Sequence, residues 1–185
     1  DFPGKSIVKG FFTAMIGMPT VALGLFLWLM LYKAGPLGFL GLLYTPGAII
    51  LGEALLVTPL IVSIATNAIE AVDPEMMNLA KTLGASESQA STAVLKEAIN
   101  GIAFSNAAGF NRAIAELGVA LMVGGNMAGF TDVLTTNIST FNARADFAMA
   151  IAFAIVLLII VLGINLIIVI ARNRHVLPAL GMMPQ

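Results

Sequence analysis

Two stretches without a single charge, residues 10 to 32 between Lys9 and Lys33 and residues 147 to 171 between Asp146 and Arg172, leave this chain few folds to choose from. A helix of about 20 apolar residues crosses the roughly 30 Å hydrocarbon layer of a bilayer. No water reaches that depth, so the backbone must satisfy its own hydrogen bonds, and a helix does so within one segment. Residues 46 to 69, apolar except for Glu53, start at Pro46 and contain Pro59; residues 98 to 122 contain Arg112 and Glu116. They predict two further spans. The chain is 59% hydrophobic and 10% charged, against about 25% charged in soluble domains, which excludes a soluble globule. The expected fold is all-α, a polytopic membrane helical bundle formed as a single domain over residues 1 to 185.

What the chain lacks narrows its chemistry. A net charge of -1 provides no basic field for nucleic acid. Without cysteine there is no disulfide and no thiolate ligand or nucleophile, and with His175 as the one histidine no His-based metal cluster or catalytic triad assembles within the chain. His175 is expected to cap the basic end of the last span. Gly4-Lys5-Ser6 has the form of the tail of a phosphate-binding loop, but the earlier glycine of that motif would precede Asp1 and the next segment is apolar. Any nucleotide has to be bound by another chain. Asn137-Ile138-Ser139 fits a glycosylation tripeptide, a pattern too common to carry weight. The sequence opens on Asp1 and leaves open a further span upstream; the orientation argument uses only local charges.

Lysine and arginine concentrate on the cytoplasmic side of membrane proteins. If the polar stretch 70 to 97 is inside, Lys5, Lys9, Lys81, Lys96, Arg172 and Arg174 are inside, against Lys33 and Arg144 outside. Six against two favours that orientation, with the C-terminus also cytoplasmic. The external segments are then 33 to 45 and 123 to 146. The second is long enough for a short helix, with Val133 to Thr140 dipping into protein, where irregular backbone is tolerated at membrane depth.

The polar stretch carries five of the ten acids, Glu70, Asp73, Glu75, Glu87 and Glu97. Asp73 before Pro74 is a helix start: the carboxylate accepts from an early N–H, and proline at the first helical position wastes no donor. The helix should end at Gly84, which tolerates a positive φ. Ser86-Glu87-Ser88-Gln89 fits a capping box, so a second helix should begin at once and run toward Glu97. Two water-facing helices joined by a sharp bend suit contact with a soluble partner.

The run Ala80-Lys81-Thr82-Leu83-Gly84-Ala85-Ser86, eleven residues beyond a span, resembles the cytoplasmic loop of permease subunits of ATP-binding-cassette importers. The family's Glu-Ala-Ala triplet falls on Asn78-Leu79-Ala80, its glycine is Gly84, and its later Ile-x-Leu-Pro element reads Val94-Leu95-Lys96-Glu97. Without that proline, the second helix is expected to continue into the next span. The resemblance covers residues 5 to 172. Gly35-Pro36-Leu37-Gly38 with Leu43-Tyr44-Thr45-Pro46, then Arg112-Ala113-Ile114-Ala115-Glu116-Leu117-Gly118 and Gly124-Gly125-Asn126-Met127-Ala128-Gly129-Phe130-Thr131, are similar to the branch importing molybdate, tungstate and sulfate, the tungstate type above all.

The resemblance implies the type I, MetI-like permease fold, with Asn78, Leu79, Ala80, Lys81, Thr82, Leu83, Gly84, Ala85 and Ser86 as coupling helices docked on an ATPase subunit. It implies ATP and magnesium on that partner and no cofactor on this chain, a second permease copy as a homodimer, an extracytoplasmic oxyanion-binding protein, and no enzymatic activity in the permease itself. The expected location is the cytoplasmic, or inner, membrane. Alternating access would carry tungstate inward, with molybdate or sulfate as the alternative cargo. An ATP-independent secondary transporter and a membrane-embedded enzyme are the alternatives from other classes; the latter would need convergent His, Asp or Ser groups that the spans lack.

Asn111, Arg112, Glu116, Asn126 and Thr131 are the candidates for the translocation path or gate. Arg112 and Glu116, four apart, would share a helix face and pair, as charges inside a membrane generally must. The pair is either a clasp that fixes packing or a contact for the passing anion. Glu53 is expected to be structural, because a carboxylate repels an anionic cargo. Gly101, Ser105 and Gly109 recur every four residues, a small-residue stripe for close helix approach, within the chain or between subunits.

Overall fold

The computed structural model describes residues 3–180, with side chains described through residue 170. Arg172, Arg174 and His175, which entered the charge and capping expectations, therefore lie outside the described side chains. Among the described residues nine α-helices follow one another: α1 (Lys5–Met15), α2 (Thr20–Leu31), α3 (Pro46–Glu70), α4 (Pro74–Thr82), α5 (Glu87–Glu97), α6 (Ile99–Ile114), α7 (Gly118–Gly124), α8 (Leu134–Ala143) and α9 (Phe147–Leu180). The architecture is all-helical, with no strand among the described residues.

Among the described residues, two helices are long and apolar enough to cross a bilayer alone: α3, and α9 from Phe147 to Ile170. The other two expected spans are interrupted. The uncharged stretch 10 to 32 breaks at residues 16 to 19, where Pro19 has no N–H to donate and disfavours the helical conformation of Met18. The stretch 98 to 122 breaks at residues 115 to 117, between α6 and α7. The second polar helix runs on toward the next span with one residue between them: α5 ends at Glu97, α6 begins at Ile99, and Ala98 keeps φ -74° and donates its N–H to the Val94 carbonyl at 3.0 Å.

By contact, the chain divides into two compact units: Asp1–Gly17 with Thr58–Phe110, and Met18–Val57 with Asn111–Gln185. In the first, α4 packs on α5, and the lower half of α3 meets α6 closely. A Cβ at Gly101 would stand 2.3 Å from the Cβ of Ala68. Ser105 and Gly109, one and two turns on, are buried as well. At Gly101 the stripe therefore serves helix packing within the chain. Gly101→Val is expected to lower stability by about 1–3 kcal/mol through overpacking, read as an earlier thermal unfolding of the detergent-solubilised protein.

The second unit has the larger apolar core, Leu23, Leu27 and Leu31 of α2 with Ala48, Leu56, Val119 and Val123. The leucines recur every four residues and face α7. A Cβ at Gly52 would stand 2.4 Å from Cγ1 of the fully buried Val119, so glycine sets the approach of α3 to α7. The Gly35-Pro36-Leu37-Gly38 run finishes α2: Gly35 N–H donates to the Tyr32 carbonyl at 2.6 Å and Leu37 N–H to the Met30 carbonyl at 2.9 Å. Those carbonyls would otherwise lack partners at the helix end. Tyr44, at φ 61°, donates its N–H to the Val123 carbonyl and accepts from Trp28 Nε1 at 2.9 Å. In the segment 123 to 146, α8 is the short helix expected near Val133 to Thr140, and it packs on α9.

Candidate functional site

The polar hairpin is built from local signals. Asp73 Oδ1 accepts from Glu75 N–H at 2.9 Å, and Pro74 occupies the first helical position of α4. At the other end, Gly84 takes φ +89°. Its N–H donates to the Lys81 carbonyl and that of Ala85 to the Ala80 carbonyl, both at 3.0 Å, which is the paired closure of a Schellman motif. Ser86 then caps α5, accepting from Gln89 N–H at 3.4 Å, while Gln89 Oε1 accepts from Ser86 N–H at 2.8 Å. The bend is locked from both sides.

Lys81 Nζ reaches across the bend to Glu87 at 2.8 Å. Hydrogen bonding to that ammonium, and then its charge, hold the Glu87 carboxyl below the usual carboxylate range. The sign follows from linkage: this contribution to the hairpin is present at neutral pH and is lost as pH falls through the lowered folded value. What the hairpin offers a partner is apolar. Leu79 and Leu83 are 61% and 80% exposed, one turn apart, with Asn78, Lys81 and Thr82 exposed beside them. The two leucines leave an uncovered apolar patch at the bend.

The intramembrane candidates fall into the second unit. Arg112 and Glu116 do pair, Nη1 to Oε2 at 2.8 Å, but they do not share a helix, because α6 ends at Ile114. The other carboxylate oxygen of Glu116 accepts from the N–H groups of Gly118 and Val119, at 2.7 and 3.2 Å, and so holds the start of α7. This explains the break in the expected span: the carboxylate satisfies amides that a continuous helix would have bonded to its own carbonyls. The Glu116 side chain is 3% exposed and that of Arg112 38%. Part of the Arg112 side chain therefore stays uncovered after the pair is made. Glu53 lies near enough to interact electrostatically with both, and its Oε2 is buried without a hydrogen-bond partner.

The remaining candidates are engaged in the fold. Asn111 exchanges two hydrogen bonds with Asn165 of α9, at 2.8 and 3.0 Å. Thr131 Oγ1 donates to the Gly124 carbonyl at 2.6 Å and accepts from Met127 N–H at 2.9 Å, stapling its own loop. Asn126, at φ 49°, donates to Thr140 Oγ1 at 2.7 Å while its own Oδ1 is buried without a partner. Sequence reasoning missed Asn165 and Thr140. A lone asparagine in an apolar span was the available signal for the first.

The sequence matches, over residues 2–175, the family described as the binding-protein-dependent transport system inner membrane component. The chain belongs to that family. Among its relatives, a probable anion ABC transporter permease protein of Haloferax volcanii is 36% identical over 94% of this chain and 77% of its own. A tungstate uptake system permease protein of Peptoclostridium acidaminophilum is 37% identical over 91% of this chain and 74% of its own. A molybdenum transport system permease protein of Haemophilus influenzae is more distant, 29% identical over 86% and 75%. The protein is thus a permease, a translocation subunit of an ABC importer.

Proposed function

We propose that this permease moves tungstate inward across the cytoplasmic membrane, as one half of a homodimer driven by a separate ATPase subunit. The cargo rests on one observation: permeases named for tungstate uptake, from Peptoclostridium acidaminophilum and Campylobacter jejuni, are 37% and 34% identical to this chain over nine-tenths of its length. The hairpin supports the coupling. Its exposed Leu79 and Leu83 seat on the ATPase from the cytoplasmic side, with ATP and magnesium held by that partner and the C-terminus also cytoplasmic. Closure of the ATPase pair on ATP pushes the hairpin and opens the path to a loaded oxyanion-binding protein, and hydrolysis returns it.

Within the path, Arg112 is the cation on hand for a tetrahedral dianion. Its guanidinium presents five donors, of which one is shown bonded to Glu116. Glu116 tempers that charge, which keeps the anion from binding too tightly to leave. Asn111, Asn126 and Thr131 hold the surrounding helices and loop in place. The assembled importer, with its binding protein, is expected to take up labelled tungstate and to be outcompeted by unlabelled tungstate before molybdate and before sulfate. Preferential competition by molybdate would move the assignment to the cargo named for the molybdenum permeases, 29% and 28% identical. A permease that never retains an ATPase on purification in mild detergent would overturn the coupling.

A further inference from the structure

Glu53 stands apart from the hydrogen-bonded frame around it. It lies in the second unit, on the first half of α3. The residue before it sets how closely that helix is approached: a Cβ at Gly52 would stand 3.3 Å from Cδ1 of Leu27 on α2 and 2.4 Å from Cγ1 of Val119 on α7. Val119 N–H is one of the two amides bonded to Glu116. Glu53 is thus beside the break between α6 and α7, where Glu116 and Arg112 act on it electrostatically. Helices α2, α7 and α8 bring no ionisable side chain to this unit. Glu70, on the same helix, is about 25 Å further along at 1.5 Å per residue.

The charges do not balance there if every group is ionised. One guanidinium meets two carboxylates, and its Nη1 is already bonded to Glu116 at 2.8 Å. The other oxygen of Glu116 is held by the amides of Gly118 and Val119. Three donors therefore converge on Glu116, and the negative charge belongs on it. Glu53 has no comparable support, because its Oε2 is buried without a hydrogen-bond partner. An ionised carboxylate with an unsolvated oxygen costs desolvation, and a second negative charge beside Glu116 adds repulsion. A single proton on Glu53 removes both.

We propose that Glu53 is a buried proton-binding site: at neutral pH it is a carboxylic acid, and the ion pair of Arg112 with Glu116 keeps the proton on it. The three side chains together then carry no net charge. A passing anion meets Arg112 without a surplus negative charge behind it. That consequence rests on the reading of Arg112 as a cation on the path; the proton itself depends on neither cargo nor ATPase.

Infrared absorption tests it on the full permease chain at neutral pH, in a detergent that has no carbonyl group. The expected spectrum has the carbonyl stretch of a protonated carboxylic acid, above the amide band, moving down when the chain is made with isotope-labelled glutamate and lost in Glu53→Gln. A native chain without a glutamate band of this kind overturns the proposal, whatever the variants do. A band that survives in folded Glu53→Gln overturns it as well, by placing the acid elsewhere. In Glu116→Gln the guanidinium loses its partner and turns its charge to Glu53, so the acid band is expected to give way to carboxylate absorption. Persistence of the band in that variant would overturn the role of the ion pair in keeping the proton. A side chain that only packs gives none of these signatures. Failure of the tungstate assignment in uptake would leave the band in place, so the two readings fail separately.

Discussion

Arg112→Ala should be among the most destabilising substitutions in the chain, about 3–5 kcal/mol, the range for breaking one side of a buried ion pair. The charge left behind belongs to Glu116, whose side chain is 3% exposed and keeps only two backbone amides for company. Removing Glu116 instead should be milder, about 1–3 kcal/mol, because Arg112 is 38% exposed and can reach out along its stem, while α7 loses its two-amide cap. The ordering is the sharp part: Arg112→Ala worse than Glu116→Ala, with Arg112→Gln/Glu116→Gln recovering much of the loss. Thermal unfolding of the four proteins in detergent reads it. Equal losses for the two single variants would show that the pair shares its burden differently. Transport separates framework from contact. If Arg112 touches the anion, the double variant regains stability without regaining uptake, and Arg112→Lys retains charge but loses the planar fork and most of the transport. If Arg112 only clasps, the double variant regains both.

How much of this was legible in advance divides along range. The hairpin is a sequence of local instructions, each spanning no more than four residues, and Asp73-Pro74, Gly84 and Ser86 with Gln89 each did in space what their chemistry prescribes. The long apolar helices α3 and α9 follow from hydropathy alone. The broken ones did not, because an apolar window cannot see a stop. Pro19 sat inside the stretch 10 to 32, and its missing donor could have been weighed. The break before α7 was harder: it needs Glu116 to turn one oxygen back to Arg112 and the other forward to Gly118 and Val119, and spacing of four suggested a shared helix face instead. The polar candidates show the same limit. Asn111 and Asn165 are 54 positions apart, and nothing in either segment names the other. Thr131 looked available for a passing anion because its two hydrogen bonds, to Gly124 and Met127, depend on a loop path that three left-handed residues, Gly125, Asn126 and Gly129, create.

Gly84→Pro should abolish uptake while leaving the membrane helices folded. Proline fixes φ near -65°, whereas the bend holds Gly84 at +89°, and the substitution also deletes the N–H that closes α4 onto the Lys81 carbonyl. No clash enters the argument, since a Cβ at this position meets nothing within 4 Å; conformation alone carries the effect. Gly84→Ala therefore isolates the left-handed penalty, about 1–2 kcal/mol, a partial fraying of the turn that sets Leu79, Leu83 and the start of α5. Asparagine, which visits that region more readily, should fall between glycine and alanine. Uptake is expected to rank glycine, asparagine, alanine, proline, and ATPase retained on purification should follow the same order, while the unfolding temperature of the apolar bundle barely moves. That contrast distinguishes a transmission joint from a packing residue. Leu83→Ser supplies the independent check: it leaves the backbone turn intact and removes the most exposed part of the apolar knob, so it should weaken ATPase retention without loosening the bend. Wild-type uptake in Gly84→Pro would mean that the bend transmits nothing, and wild-type ATPase retention in Leu83→Ser would mean that the partner docks elsewhere.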